Sequence, residues 1–180
     1  MNTTPVSREN LPEGLERLLT IEEIQRLKAR YCRYIDTKQW DKLNALFVPH
    51  ARFDGLGSVP PGADVTAFVN GVSTRLQEAV SIHHCHMPDI VLTGPESARG
   101  VWAMMDYLQW PSGFSPKEAP GQSGFVGYGH YEEEYTKVEG RWLISFLRLT
   151  RLRIDALPLD HPTPRKGQLT ASHDWTGVME

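Results

Sequence analysis

The second half of the chain constrains the fold most. Four long segments there are rich in β-branched and aromatic residues: SIHHCHMPDIVLT (81–93), ARGVWAMMDYLQW (98–110), FVGYGHYEEEYTKV (125–138) and RWLISFLRLTRLRID (141–155). Runs of this composition read as strands. The segments between them carry turn residues: GPES, the Gly/Pro/Ser-rich PSGFSPKEAPGQSG (111–124), and EG. Strands this long and this close in sequence pair with one another, and their shared apolar face has to be covered by something else.

The first half supplies the cover. From Leu15 the pattern turns helical, with Ile21, Ile24, Leu27, Lys28, Tyr31 and Ile35 on one side at a period near 3.6. Thr20 is the expected N-cap, with Glu22 and Glu23 favouring the helix start. A second helix is expected over WDKLNALF (40–47), stopping before Pro49, and ARFDGLGS (51–58) reads as a strand running into a glycine turn. PPGADVTAFVNGVSTRLQEAV (60–80) reads as a loop followed by an amphipathic helix. Helices first and strands later is an α+β order, with helices covering one face of a curved antiparallel sheet. The expected domain spans 16–155, flanked by a polar tail at 1–15 and a proline-bearing tail at 156–180.

Composition narrows the partners. At 180 residues the chain suits one domain, and a formal net charge of -3 gives no basic field for nucleic acid. No apolar run is long enough to cross a bilayer, and the N-terminus lacks the pattern of a secretory signal. Cys32 and Cys85, the two cysteines, are too few for a disulfide scaffold and read as reduced thiols. The expectation is a cytoplasmic protein that engages neither nucleic acid nor membrane.

Three of the seven histidines and one cysteine fall in HHCH, residues 83–86. A zinc site needs several ligands converging on one point. On a strand, His83 and Cys85 share one face while His84 and His86 share the other. Two of the four can converge, and a metal site would have to borrow Asp106 or His130. His84 and His86 are expected on a face without chemistry.

His83 gains interest from Tyr31 and Asp36, near the end of the first helix. An imidazole beside a carboxylate has a fixed tautomer and can take up and return a proton near neutral pH. A phenol close by can hold an oxygen on which charge builds. Tyr31 and Asp36 stand about 140° apart around an ideal helix, so both can address one cavity only if the helix ends or bends near Ile35. Two further charges sit in apolar rows. Asp106 shares a face with Trp102, Met104, Leu108 and Trp110, and Arg151 ends a face with Leu143, Ser145, Leu147 and Leu149. A buried carboxylate wants a partner, and an Asp106–Arg151 contact across neighbouring strands would supply one, for structure or for function.

Three segments together resemble the SnoaL-like branch of the nuclear-transport-factor-2-like superfamily: the Y-x4-D-x3-W-D-x-L stretch from Tyr31 to Leu43, the histidine opening the strand after the third helix, and the Y-x-K-x-x-G-x-W hairpin from Tyr135 to Trp142. The resemblance covers roughly residues 16–155. It implies a cone, in which a curved mixed sheet wraps around the N-terminal helices and encloses a deep pocket. Within the branch the pattern is similar to that of bile acid 7α-dehydratase, and more distantly to scytalone dehydratase and hexachlorocyclohexane dehydrochlorinase. The site it implies comprises Tyr31, Asp36, His83, Asp106 and Arg151. Trp102, Met104 and Leu108 are expected as apolar walls beside it, and Cys85 and His130, which depart from the family's pattern, as further pocket neighbours.

The activity implied is that of a lyase without cofactor or metal, a dehydratase of a cyclic, largely apolar hydroxy-carbonyl compound such as a steroid-like or polyketide-like ring. His83, oriented by Asp36, is the expected acid and base. An isomerase or cyclase using the same pocket, and a non-catalytic subunit like that of a ring-hydroxylating dioxygenase, are the alternatives. A homo-oligomer, dimer or trimer, is expected from the exposed outer face of the sheet.

Overall fold

Apolar residues at helical spacing between Ile24 and Ile35 bury one face of α1 (Glu13–Asp36), the first of eight elements in the computed structural model. The structure describes residues 13–57, 59–60 and 62–162. Of the two tails read from the sequence, only residues 13–15 and 156–162 fall within that range. α1 starts upstream of Thr20, which is buried inside the helix instead of capping it. No glycine or proline interrupts 15–20, so the helix simply continues through. Its last turn closes with Lys38 in the left-handed region (φ 61), and the amides of Lys38 and Gln39 donate to Ile35 and Tyr34 carbonyls.

α2 (Trp40–Asn44) is shorter than the pattern suggested. Leu46 and Phe47 are drawn out of it because β1 (Phe47–Asp54) pairs in parallel with β5, the Ile144 amide donating to the Leu46 carbonyl at 2.9 Å. Pro49 is tolerated inside β1 because β1 is an edge strand and its register is irregular between Phe47 and Arg52. α3 (Val65–Leu76) begins at Asp64, whose carboxylate accepts the Ala67 amide at 2.8 Å. Its apolar face carries Phe68, which stacks on Phe53 of β1 at 4.2 Å.

β2 (Val80–Gly94), β3 (Ser97–Gln109), β4 (Gly124–Val138) and β5 (Arg141–Leu157) complete a five-stranded sheet in the order β1-β5-β4-β3-β2. All pairs are antiparallel except β1–β5, so the sheet is mixed. The β4–β5 turn is a two-residue hairpin with Glu139 (φ 50) and Gly140 (φ 79) both left-handed. α1 packs across β2, and α3 across β1, which closes the inner face of the sheet. This is the α+β architecture read from the order of the elements, and the mixed sheet implied by the family resemblance.

Two bulges change which residues face inward. In β2 the register slips between His86 and Asp89, with Met87 at φ 33 and Pro88 unable to donate. The inward set therefore switches from His83 and Cys85 to Ile90 and Leu92. In β5 Ser145 is the extra residue, since Ile144 pairs with Tyr135 and Phe146 with Glu134. Strict alternation had put Leu143 and Ser145 on the Arg151 face; the bulge puts Trp142 and Ile144 there instead, followed by Leu147 and Leu149.

A charged cluster lies within this core. Lys28 is 0% exposed and forms an ion pair with buried Glu133 of β4. Its ammonium sits 4.0 Å from the Tyr31 ring centroid and 3.6 Å from that of Tyr131, where the ring faces attract a cation. Glu133 also accepts the Tyr135 hydroxyl, and the Tyr135 oxygen accepts Trp102 Nε1 at 2.8 Å. Every charge in the cluster is thus met.

Candidate active site

β2 and the C-terminal end of α1 hold the first pair. His83 Nδ1 lies 2.6 Å from Asp36 Oδ1, and the His83 backbone amide donates to Asp36 Oδ2 at 2.7 Å. One carboxylate thus takes both the ring and the backbone of the same residue, which fixes the imidazole plane. Asp36 is the last helical residue, so the separation of Tyr31 and Asp36 around the helix is no obstacle. Tyr31 lines a cavity together with His83, while Asp36 stands behind the imidazole and is not part of the lining.

That cavity holds about 60 Å³. Besides Tyr31 and His83 it is lined by Tyr131, Asp106 and Arg151, with Phe68, Val72, Leu108 and Leu149 among its apolar walls. His83 pairs in register with Asp106, and Asp106 with Gly127. Arg151 reaches Asp106 in a bidentate pair at 2.7 and 2.5 Å. β3 and β5 are not neighbours, contrary to the expectation of an adjacent-strand contact; β4 lies between them, and the pair passes over it at Gly127.

Gly127 is what permits this. A Cβ there would stand 1.8 Å from Arg151 Nη1 and 2.3 Å from Asp106 Oδ1. Glycine inside a strand often marks such a close approach, and the GYG of residues 127–129 was the available signal. Gly127→Ala is expected to push the guanidinium off a carboxylate that is 1% exposed, lowering the unfolding free energy by about 3 kcal/mol in a urea titration. A loss under about 1 kcal/mol would mean that the pair reseats around the new methyl group.

Both phenols in the cavity stay protonated. Burial, then the nearby Glu133 carboxylate, raises the Tyr31 pKa well above its usual value, and the Tyr131 ring packs edge-on against it at 5.8 Å. Burial, then Tyr31, does the same to Tyr131. Two neutral O–H groups therefore stand beside His83 as hydrogen-bond donors. Tyr131 was missed from sequence because nothing in HYEEEY separates a cavity tyrosine from a core one.

The lining departs from the expected pocket at four positions. His130 alternates to the outer face of β4 between inward Gly129 and Tyr131. Met104 is buried in the core, and Trp102 is bonded to Tyr135. Cys85, two residues beyond His83, faces Cys32 of α1 and not the cavity. Leu108, Asp106 and Arg151 do line it. His84 and His86 are exposed with their rings 5.9 Å apart, and no group of three His, Cys, Asp or Glu side chains among the described residues is arranged to hold a metal ion.

The 111–123 loop reaches the cavity at Glu118. Glu118 of this loop and Arg75 of α3 both line it and pair at 2.5 Å. Arg75 also carries Trp110, whose Nε1 donates to the Arg75 carbonyl at 2.8 Å, and Phe114 stacks on Trp110 at 4.9 Å. The first residues of the C-terminal tail run elsewhere, the Pro158 carbonyl accepting Ser123 Oγ at 2.7 Å.

Lys38 is a further ionisable group near Asp36. Its ammonium donates to Ser81 Oγ at 2.7 Å, and burial pushes its pKa down to about 8, partly opposed by Asp36. The unfolded chain keeps this proton up to about its ordinary value of 10.5. Between these limits unfolding takes up a proton, so Lys38 makes stability rise with pH across that window. Lys38→Met is expected to flatten the rise by about 1 kcal/mol after solvent screening, measured by urea titration at pH values bracketing the window. An unchanged slope would rule Lys38 out as its source.

No helix among the described residues is long and apolar enough to cross a membrane. "Probable cyclase FGR4" of Gibberella zeae is 28% identical over 141 residues, covering 72% of this chain and 89% of that protein. Hexachlorocyclohexane dehydrochlorinase LinA-type3 of Novosphingobium barchaimii LL02 superposes with a TM-score of 0.67 at 19% identity, over 85% of this chain and 100% of the other. A scytalone dehydratase-like protein of Novosphingobium aromaticivorans DSM 12444 superposes with 0.65 at 18% identity, over 82% and 97%. These superpositions establish the fold, and residues 16–148 match the SnoaL-like domain, a span that runs from α1 into β5 and includes His83, Asp36 and Asp106. The chain belongs to the SnoaL-like family of the nuclear-transport-factor-2-like superfamily.

Proposed function

We propose that this protein is a lyase of the dehydratase type, acting on a cyclic hydroxy-carbonyl compound with His83 as its acid and base. The observation that carries the reading is the His83–Asp36 pair: Nδ1 is committed to the carboxylate at 2.6 Å, on a ring that lines a cavity with two neutral phenols. That leaves Nε2 to take the proton next to the substrate carbonyl. Charge then builds on the carbonyl oxygen, and the Tyr31 O–H, backed by Tyr131, holds it. The imidazolium returns its proton to the departing hydroxyl, which leaves as water and a conjugated double bond remains. Asp36 is a positioning residue, acting through His83. Asp106 and Arg151 hold the polar end of the cavity, and Phe68, Val72, Leu108 and Leu149 provide apolar walls. The proton moves between substrate and imidazole alone, so the sequence of steps calls on no cofactor.

A cyclase is the second reading, favoured by the relative named as one. The same base would form the same enolate, which then attacks a second carbonyl of the substrate in place of expelling hydroxide. One experiment separates them. A panel of cyclic β-hydroxy ketones and open-chain diketones is incubated with the protein in deuterated water. Water loss to a conjugated enone marks a dehydratase, ring closure without water loss marks a cyclase, and deuterium at the α-carbon of recovered substrate reports the base in either case. Absence of both exchange and turnover across the panel would count against the base assignment itself.

A further inference from the structure

His83 also borders a second hollow, and the other groups gathered there take no part in the proposed reaction. This hollow of about 420 Å³ is lined by Lys28, Cys32, His84, Cys85 and Trp102 as well as His83. Both thiols are half-buried and free, and their sulfur atoms lie 3.5 Å apart, one on α1 and the other on β2. We propose that Cys32 and Cys85 form an oxidisable dithiol, a modification site at which a peroxide links α1 to β2 by a reversible disulfide.

The surroundings of the two sulfurs give them different parts. Cys85 stands near two groups able to carry positive charge, Lys28 and His83, and makes a sulfur–sulfur contact with Cys32 in which either thiol can donate. The contact with Cys32 is the largest influence lowering the Cys85 pKa, against the burial that opposes it. The same contact, then burial, raises Cys32. Cys85 is then the thiolate that attacks, and Cys32 the thiol that resolves. In the first step the Cys85 thiolate displaces hydroxide from hydrogen peroxide and becomes a sulfenic acid. In the second, Cys32 sulfur attacks the Cys85 sulfur, the S–O bond breaks, and the Cys32 proton leaves with the hydroxyl as water. Two thiols have lost two electrons, and one peroxide has been reduced to two water equivalents.

Closing a contact of 3.5 Å to a disulfide bond of about 2.05 Å needs a movement of about 1.5 Å. Side-chain rotation and a small shift of α1 over β2 are enough to supply it. The link would lie one residue after Tyr31 and two after His83 in their respective segments. It would therefore fix the spacing between the two elements that carry the acid–base pair. The inference does not depend on which reaction that pair performs.

The test uses the full chain, reduced and then exposed to a small excess of hydrogen peroxide. Wild type is expected to lose the mass of two hydrogens and both titratable thiols, and its digest to contain a Cys32–Cys85 linked peptide that dithiothreitol dissolves. Cys32→Ser, checked for folding by its circular dichroism melt, is expected to gain one oxygen at Cys85 that dimedone traps. Cys85→Ser is expected to keep Cys32 as a thiol over the same exposure. Retention of both thiols in wild type, oxygen addition without the linked peptide, or a link between two chains would each overturn the proposal.

Discussion

His83→Ala is expected to lower turnover of the responsive substrate by about 100- to 10,000-fold, the range a positioned acid–base group contributes. The fold should survive the change. His83 supplies Asp36 with two hydrogen bonds, and the one from the backbone amide at 2.7 Å does not depend on the side chain. The carboxylate is thus left with a donor, and it retains partial solvent exposure. Asp36→Asn should give a smaller loss, because the base remains while its tautomer and orientation are no longer fixed. Steady-state rates for both variants, beside matching circular dichroism melts, check the pair. Activity of the alanine variant within a few-fold of wild type would remove His83 from the mechanism.

Lys28→Met is expected to produce the largest loss of stability. Lys28 and Glu133 are paired with both side chains fully out of solvent. Removing the ammonium leaves Glu133 with the Tyr135 hydroxyl and no compensating charge, and breaking a buried pair from one side costs about 3–5 kcal/mol. Against a total stability of about 5–15 kcal/mol this is a large fraction, and a fall in Tm of about 10 °C follows. Replacing both partners tells charge from packing. Lys28→Met with Glu133→Gln should recover most of the loss, since a buried pair exchanged for neutral groups of similar volume is often near neutral. A double variant as unstable as the sum of its singles would show that the aliphatic stem of Lys28, not its charge, holds the site together.

Much of this architecture was legible in the sequence, and the gaps have physical causes. The four strands, their order after the helices, and the split of HHCH into a buried and an exposed face followed from composition and period-two alternation, and the structure has them. Lys28 stood on the apolar stripe of α1 as the one charge there, which is the mark of a buried ion pair, but its partner is 105 residues away and no local pattern points to Glu133. Alternation failed at Ser145 because a bulge inserts one residue with no distinctive side chain. The pocket residues Tyr131, Arg75 and Glu118 come from three separate elements, and only the curvature of the sheet brings them beside His83. His130 carries attractive chemistry, but alternation on β4 sets it on the face opposite Gly129 and Tyr131.

The ion pair between Arg75 and Glu118 has an energetic consequence for any ligand. The cavity has room for a few water molecules, whereas a compound of several rings needs about 300 Å³ or more. A substrate of that size is expected to need Glu118 to swing away from Arg75 before it can enter. Its apparent dissociation constant is then the intrinsic one divided by the fraction of molecules open at that moment. Neutralising the latch would raise that fraction for every ligand alike, tightening binding without adding one contact to it.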